Sequence, residues 1–152
     1  MPSRKSMYII KPEWLSRREA IRDMLMLSGL NIVDEVTVRL TESELRALYP
    51  ISTPTCLWDA ILDHMAGKEC EVGIVEGNDA VHKLVTVCGR NINPAQCPYK
   101  TIRGRFGDEL SRVVGWSDGR PVWYHPNVIH RPRDEEEAVR HLQIAKVLGL
   151  IR

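Results

Sequence analysis

The residues with the greatest chemical reach fall in two stretches of the chain. In the first, Arg103 and Arg105 stand within Thr101-Ile102-Arg103-Gly104-Arg105-Phe106-Gly107. In the second, His125 and His130 precede Arg131, Arg133 and the acidic run from Asp134 to Glu137. An imidazole with its ordinary pKa of about 6.5 offers a neutral nitrogen near pH 7, able to act as a nucleophile or a metal ligand. Guanidinium forks gather carboxylate and phosphate oxygens. Each feature also has a plainer reading, since charge runs are mostly solvated surface and a histidine at a strand end is mostly packing. A metal site on His125 and His130 lacks a third ligand at suitable spacing. Cys56, Cys70, Cys88 and Cys97 form no CxxC pair and sit in or beside apolar patterns. They read as buried free thiols rather than zinc ligands or disulfides.

These residues must be positioned by a chain of 152 residues, enough for one domain with a proper core. Hydrophobic residues make up 43% and charged residues 27%, as in an ordinary soluble protein. No apolar run approaches the roughly 18–20 residues of a membrane span, and Met7 to Ile10 is too short for a signal core, so a cytoplasmic location is expected. A net charge of +1 argues against a general nucleic-acid coat. With four Trp, four Tyr and one Phe, little is left for base stacking, so a nucleic-acid partner is not expected.

Tyr8-Ile9-Ile10 reads as a first strand, closed by Lys11-Pro12. A helix follows with Trp14, Ile21, Met24, Leu25 and Ser28 on one face, stopping at Gly29. From Ile32 to Leu40 the pattern alternates, with Ile32, Val36, Val38 and Leu40 facing one way and Asp34 a misfit. Thr41-Glu42-Ser43-Glu44 is a capping box opening a short helix that ends near Tyr49-Pro50. Thr53-Pro54 starts another, with Leu57, Ala60, Ile61, His64 and Met65 inward and Gly67 as its stop. Cys70 to Val75 is a third strand, and Asn78 or Asp79 caps a helix burying Val81, Leu84, Val85 and Cys88. Gly89 to Gly107 shows no periodicity and reads as a long loop. Arg112–Trp116 and Pro121–Tyr124 bracket Ser117-Asp118-Gly119-Arg120, a hairpin signal. Asn127 to His130 is a last strand, and the final helix has Glu135, Glu136 and Glu137 in its first turn with Ala138, His141, Leu142 and Ala145 inward. The expected fold is α+β: a ferredoxin-like βαββαβ, with a four-stranded antiparallel sheet covered on one side, added helices and a β-hairpin insertion. Residues 1–152 form a single domain, with the insertion at about 107–124.

Five segments, in order, resemble the nucleoside diphosphate kinases. They are Tyr8-Ile9-Ile10-Lys11-Pro12-Glu13, Val75-Glu76-Gly77-Asn78-Asp79-Ala80-Val81, Asn93-Pro94-Ala95, Thr101-Ile102-Arg103-Gly104 and Asn127-Val128-Ile129-His130. Each alone is weak; together, in this order from residue 7 to about 144, they are specific. The resemblance implies a ping-pong transfer of the γ-phosphate of a nucleoside triphosphate to a nucleoside diphosphate, with His130 as the phosphate carrier. It implies Lys11 on phosphate and sugar hydroxyl, Tyr49 close to the histidine, Arg103 clamping phosphates and Asn127 on the sugar hydroxyl. Such chemistry rests on cations that stabilise charge on the transferring group. ATP and other nucleoside di- and triphosphates are the implied ligands. Mg²⁺ is the implied cofactor, held by the nucleotide phosphates with no protein side chain as ligand. A homo-oligomer is the implied assembly.

The sequence also departs from that family. After the histidine the family usually continues Gly-Ser-Asp; here the run is Arg131-Pro132-Arg133. The family serine, which bonds the acid that orients the histidine, is replaced by Pro132, which has no donor. That acid falls near His141, and Glu137, one turn earlier, is a possible substitute. The residue stacking on the base falls at Leu57 or Trp58. A second phosphate-binding arginine is missing from the helix ending at Cys88, leaving His82 or Lys83 as the nearest cation. Arg105 replaces an acidic residue, and Asn127 follows Phe106 by 21 positions, much more than is usual in the family. The expected activity is nucleoside diphosphate kinase. The alternative is a catalytically weakened nucleotide-binding or regulatory protein of the same fold.

Overall fold

The computed structural model describes residues 3–107 and 111–150; residues 1–2, 108–110 and 151–152, which include part of the expected insertion, lie outside the described residues. Strand β1 (Lys5–Ile10) is buried at every position but Lys5 and occupies the middle of a four-stranded sheet. Its neighbours are β3 (Glu69–Glu76) on one side and β6 (Ile129–His130) on the other, with β2 (Asn31–Arg39) beyond β3. All pairs are antiparallel, in the order β2-β3-β1-β6. Helix α1 (Arg18–Leu27), entered through a 3-10 turn at Pro12–Arg17, connects β1 to β2, and α4 (Ala80–Cys88) follows β3. This is the ferredoxin-like α+β arrangement. Added to it are α2 (Glu42–Leu48) and α3 (Thr55–Met65) between β2 and β3. After α4 come the short α5 (Ile102–Phe106), a hairpin of β4 (Arg112–Ser117) and β5 (Arg120–Tyr124), and α6 (Glu135–Val147).

The sheet is covered on both faces rather than one. Tyr8, Ile10 and Val75 face Ile21, Leu25, Leu84 and Cys88 of α1 and α4. Met7, Ile9, Val72 and Ile74 face Leu45, Ile61, Met65, Tyr124 and Ala145 of α2, α3, β5 and α6. Unbroken burial along the interiors of β1 and β3 is the mark of strands packed on two sides. One close approach makes a glycine necessary. A Cβ at Gly73 would lie 2.3 Å from the Tyr8 ring, whose hydroxyl donates to the buried Glu71 at 2.7 Å. Arg22 of α1 closes on the same carboxylate, its Nε 3.0 Å from Oε2.

Three local expectations change. In β2 a bulge between Ile32 and Asp34 shifts the register, so Ile32 pairs with Val75 and packs toward α1, while Val36 and Val38 face the opposite core. An added residue switches the face on which side chains alternate, so Asp34 stays on the face of Val36 and Val38, and Ile32 is the residue that departs from it. Asp79 stands at the start of α4 in a left-handed conformation, but its side chain makes no capping bond. The stretch from Gly89 to Gly107 is not a bare loop: Pro94–Gln96 forms a 3-10 turn, and Thr101 caps α5 by accepting from Gly104 N at 3.1 Å. The capping box at Thr41 and Glu44 is present, and Asp118 and Gly119 turn the hairpin with φ of 51° and 74°.

Candidate active site

The register of β1 against β6 builds the site. Ile9 pairs with His130 and Ile10 with Ile129, and the amide of Lys11, the next residue, donates to the Val128 carbonyl at 2.9 Å. Before β6 the chain turns sharply: Ile129 N donates to Asn127 O at 2.7 Å around Val128, fully buried with φ of 72°. Positive φ at a β-branched residue is strained, on the order of 1–3 kcal/mol, and such strain persists where neighbours over-determine it. The turn directs Asn127 and His130 toward one cavity of about 600 Å³, a volume suited to a nucleotide-sized ligand.

Lys11, Tyr49, Leu57, Arg103, Asn127 and His130 all line this cavity. Lys11 is buried and donates from Nζ to Asn127 Oδ1 at 2.6 Å. Burial, with the Arg103 guanidinium adding to it, brings its pKa down to about 7, while Glu13 opposes the shift. Asn127 donates in turn from Nδ2 to Ile92 O at 3.1 Å. Arg103 is only 2% exposed, and its fork bonds backbone carbonyls: Ile129 from Nη2 at 2.9 Å, Asn91 and Gly89 from Nη1 at 3.1 and 3.3 Å. Burial and then Arg131 lower its pKa to about 10. Its helix is seated by Gly104, where a Cβ would lie 2.0 Å from the Pro98 carbonyl oxygen. Tyr49 lays its ring against His130, centroids 4.9 Å apart, and burial raises its pKa.

His130 is half-buried at the cavity wall. Its Nε2 meets Nε2 of His141 at 2.7 Å, and its Nδ1 makes no hydrogen bond among the described residues. Burial first, then His141, Lys11, Arg103 and Arg131, hold its pKa well below the usual imidazole range. The ring is therefore neutral at pH 7, with one nitrogen engaged and the other available. Glu137 does not bond His130: its carboxylate is 3.1 Å from Arg133 Nε and 3.9 Å from His141 Nε2. Nitrogen and oxygen atoms of His130, Glu137 and His141 lie within 4.8 Å of one another. However, the two imidazole planes are 10° apart and their Nε2 atoms point at each other, the geometry of a shared proton rather than of lone pairs converging on an ion.

Two expected residues lie elsewhere. Lys83 lines a separate surface groove with Ser28, Lys100 and Thr101, because it stands off the buried face of α4. The cation that α4 does deliver is Arg90, two residues beyond the helix, which lines the cavity. The signal was the Gly89-Arg90 pair: glycine stops the helix in a positive-φ conformation and turns the next side chain toward the site. Trp58 packs in the core beside Tyr49 with the Arg46 guanidinium 4.6 Å above its ring, so Leu57 is the residue of that pair on the main cavity. Arg131 and Arg133 also line it, and Arg131 Nη2 donates to Gly89 O at 2.9 Å. The hairpin contributes Trp123 and Tyr124.

Comparison with known proteins agrees with this architecture. The family model described as nucleoside diphosphate kinase matches residues 4–145. A nucleoside diphosphate kinase of Rhodovulum sulfidophilum is 31% identical over 108 residues, covering 70% of this chain and 76% of the relative. Among solved structures, a nucleoside diphosphate kinase family protein from Babesia bovis superposes with a TM-score of 0.76 at 17% identity, covering 99% of this chain and 93% of that one. A Borrelia burgdorferi nucleoside-diphosphate kinase with bound vanadate and ADP gives 0.70 at 23% identity, over 92% and 84% of the two chains. The two structural matches speak for the fold, and the family match over nearly the whole chain decides membership: this chain belongs to the nucleoside diphosphate kinase family.

Proposed function

We propose that this chain carries out its nucleoside diphosphate kinase activity through a phosphohistidine formed on Nδ1 of His130. The observation that carries the reading is a neutral, half-buried imidazole with a free Nδ1 on the wall of a cationic cavity. In the first half-reaction Nδ1 attacks the γ-phosphorus, the bond to the bridging oxygen breaks, and the nucleoside diphosphate leaves with the electron pair. The second half-reaction reverses these steps with a different diphosphate as acceptor. Lys11, Arg90, Arg103 and Arg131 supply positive charge around the transferring group, which is most of the catalysis in phosphoryl transfer. Lys11 and Asn127, already bonded to each other, are the pair for the sugar hydroxyl, and Leu57 offers an apolar surface to the base.

The donor set around the cavity suits phosphate rather than a metal cage, because its one carboxylate among the described residues, Glu137, is paired with Arg133. Mg²⁺ would therefore be held by the nucleotide's phosphates, where it neutralises their charge. We read residues 1–152 as one domain with an insertion at about 107–124, and the assembly as a homo-oligomer. Exposed Met26, Leu27 and Val33 on the adjacent α1 and β2 support the latter. No helix among the described residues is long and apolar enough to cross a membrane, and all four cysteines are free, which supports a reducing, cytoplasmic location. The decisive experiment is incubation with γ-labelled ATP. An acid-labile, alkali-stable phosphoenzyme that passes its label to a different diphosphate is expected. Its absence from wild type, or its persistence in His130→Ala, overturns the reading.

A further inference from the structure

The contact between His130 and His141 is unusual in its chemistry. Their ring centroids are 5.0 Å apart with planes within 10° of parallel, and the Nε2 atoms are 2.7 Å apart. That centroid distance is the Nε2 separation plus the two ring radii, so the rings meet edge to edge and in line, not face to face. Two imidazole nitrogens can approach so closely only with a proton between them, one donating and one accepting. Phosphoryl transfer itself selects the donor. A nucleophilic Nδ1 on His130 needs its lone pair bare, so the shared proton sits on Nε2 of His130 and Nε2 of His141 accepts it. The proton of the His141 ring is then on its Nδ1, which is buried with no hydrogen-bond partner among the described residues.

We propose that His141 is the positioning residue of the phosphotransfer: it holds His130 in the Nε2–H tautomer by accepting that hydrogen bond while the Nδ1–phosphorus bond forms. The inference rests on the phosphohistidine reading. When Nδ1 bonds to phosphorus and the bridging oxygen departs with its electron pair, the His130 ring becomes a cation still bearing Nε2–H. That Nε2–H stays directed at Nε2 of His141 across the 2.7 Å contact, so the hydrogen bond strengthens as the ring gains charge and relaxes when the phosphate moves to the acceptor and the Nδ1–phosphorus bond breaks. The Glu137 carboxylate, 3.9 Å from His141 and steadied by Arg133, lies behind the pair.

This arrangement differs from a carboxylate orienter in one respect that can be measured. A carboxylate only accepts, whereas His141 becomes a donor once it gains a proton from solvent. The pair then rearranges so that His130 is protonated on Nδ1, and the nucleophile is blocked. The groups facing the pair are Lys11 after β1, Tyr49 after α2, Arg103 on α5, Arg131 after β6, and Glu137 and Arg140 on α6. The cations hold the blocking proton off, and His141 stays neutral until well into the acid range, its pKa lowered to about 4 by burial.

The test combines ring nitrogen NMR on histidine-labelled protein with pre-steady-state labelling from γ-labelled ATP in wild type, His141→Leu and His141→Gln. The expected spectrum shows His130 protonated at Nε2 and bare at Nδ1. The leucine variant should form phosphoenzyme roughly 10–100-fold more slowly, the usual cost of losing an outer orienting partner, with nucleotide affinity little changed. Glutamine, whose amide oxygen accepts from Nε2–H, should recover most of the rate but lose the contribution of His141 to the acid limb of the pH profile. A wild-type His130 protonated at Nδ1, or a leucine variant labelled as fast as wild type, overturns the proposal. If His141→Leu does not fold, the wild-type tautomer and the glutamine pH profile decide. A wild type that forms no phosphoenzyme defeats the phosphohistidine reading instead, and the spectrum still judges the tautomer separately.

Discussion

Nucleotide binding by this protein should take up a proton, and Lys11 is the group that receives it. In the free site Lys11 is buried beside Arg103, and its pKa is about 7, against 10.5 for an ordinary lysine. An arriving polyphosphate offsets the burial that causes the shift by supplying a close counter-charge, so the pKa returns toward its ordinary range. At pH 8 about nine in ten free molecules then carry neutral Lys11, and binding should take up about 0.9 proton. The sign follows: the complex binds more protons than the free protein between the two pKa values, so affinity falls as pH rises through that window. From pH 7 to pH 9 the dissociation constant should rise roughly 50-fold, a little over 2 kcal/mol. His130 does not interfere, since its pKa lies well below this range. Calorimetry of ADP binding at pH 8, in buffers of low and high ionisation enthalpy, reads the proton count directly. Uptake near zero in wild type, or undiminished uptake in Lys11→Met, would refute the argument.

Other substitutions test other parts of the site. Arg103→Met removes the side-chain bonds to the Ile129 carbonyl and leaves those of Gly89 and Asn91 to Arg131 and Cys97 alone, and should cost about 2 kcal/mol, lowering Tm by roughly 4–8 °C in a chain this size; thermal denaturation measures it, and an unchanged Tm contradicts the bonding described. Gly104→Ala drives a Cβ into the Pro98 carbonyl, so α5 must move and carry Arg103 with it; a loss of nucleotide affinity of at least 10-fold is expected in titration with ADP. Arg90→Ala should weaken ADP binding by roughly 10-fold while Lys83→Ala leaves it unchanged, and the reverse order would restore Lys83 to the site.

What could be read from the residues and what could not divides along a physical line. The capping box at Thr41, the hairpin turn at Asp118-Gly119 and the inward face of α6 are local signals, complete within a few residues, and the structure carries all three. The bulge in β2 is invisible locally, because only pairing with β3 reveals that Ile32 and Val36 face opposite cores. Two-sided covering of the sheet depends on where α2, α3 and α6 dock, which no periodicity states. Lys83 stands off the buried face of α4, which spacing along the helix does not reveal, while Arg90 lies just past the helix, outside its periodic pattern. The replacement of an acid by His141 was legible; that its ring meets His130 end to end was not, since this depends on α6 lying beside β6 at one particular register.

The two-residue strand that ends in His130 has a consequence for how the protein wears out. Its ladder to β1 is only Ile9–His130 and Ile10–Ile129, beyond which the chain leaves through the strained turn at Val128. Side-chain bonds from Arg103 to Ile129 O hold it instead. A segment fastened this way forms its own cooperative unit, able to open without melting the central strands. On heating, activity should fade before the circular dichroism of the sheet changes. A bound nucleotide, gripping the same arginine and lysine that clasp the segment, should delay that early loss more than it delays global unfolding. The substrate is in this sense the last structural tie of its own site.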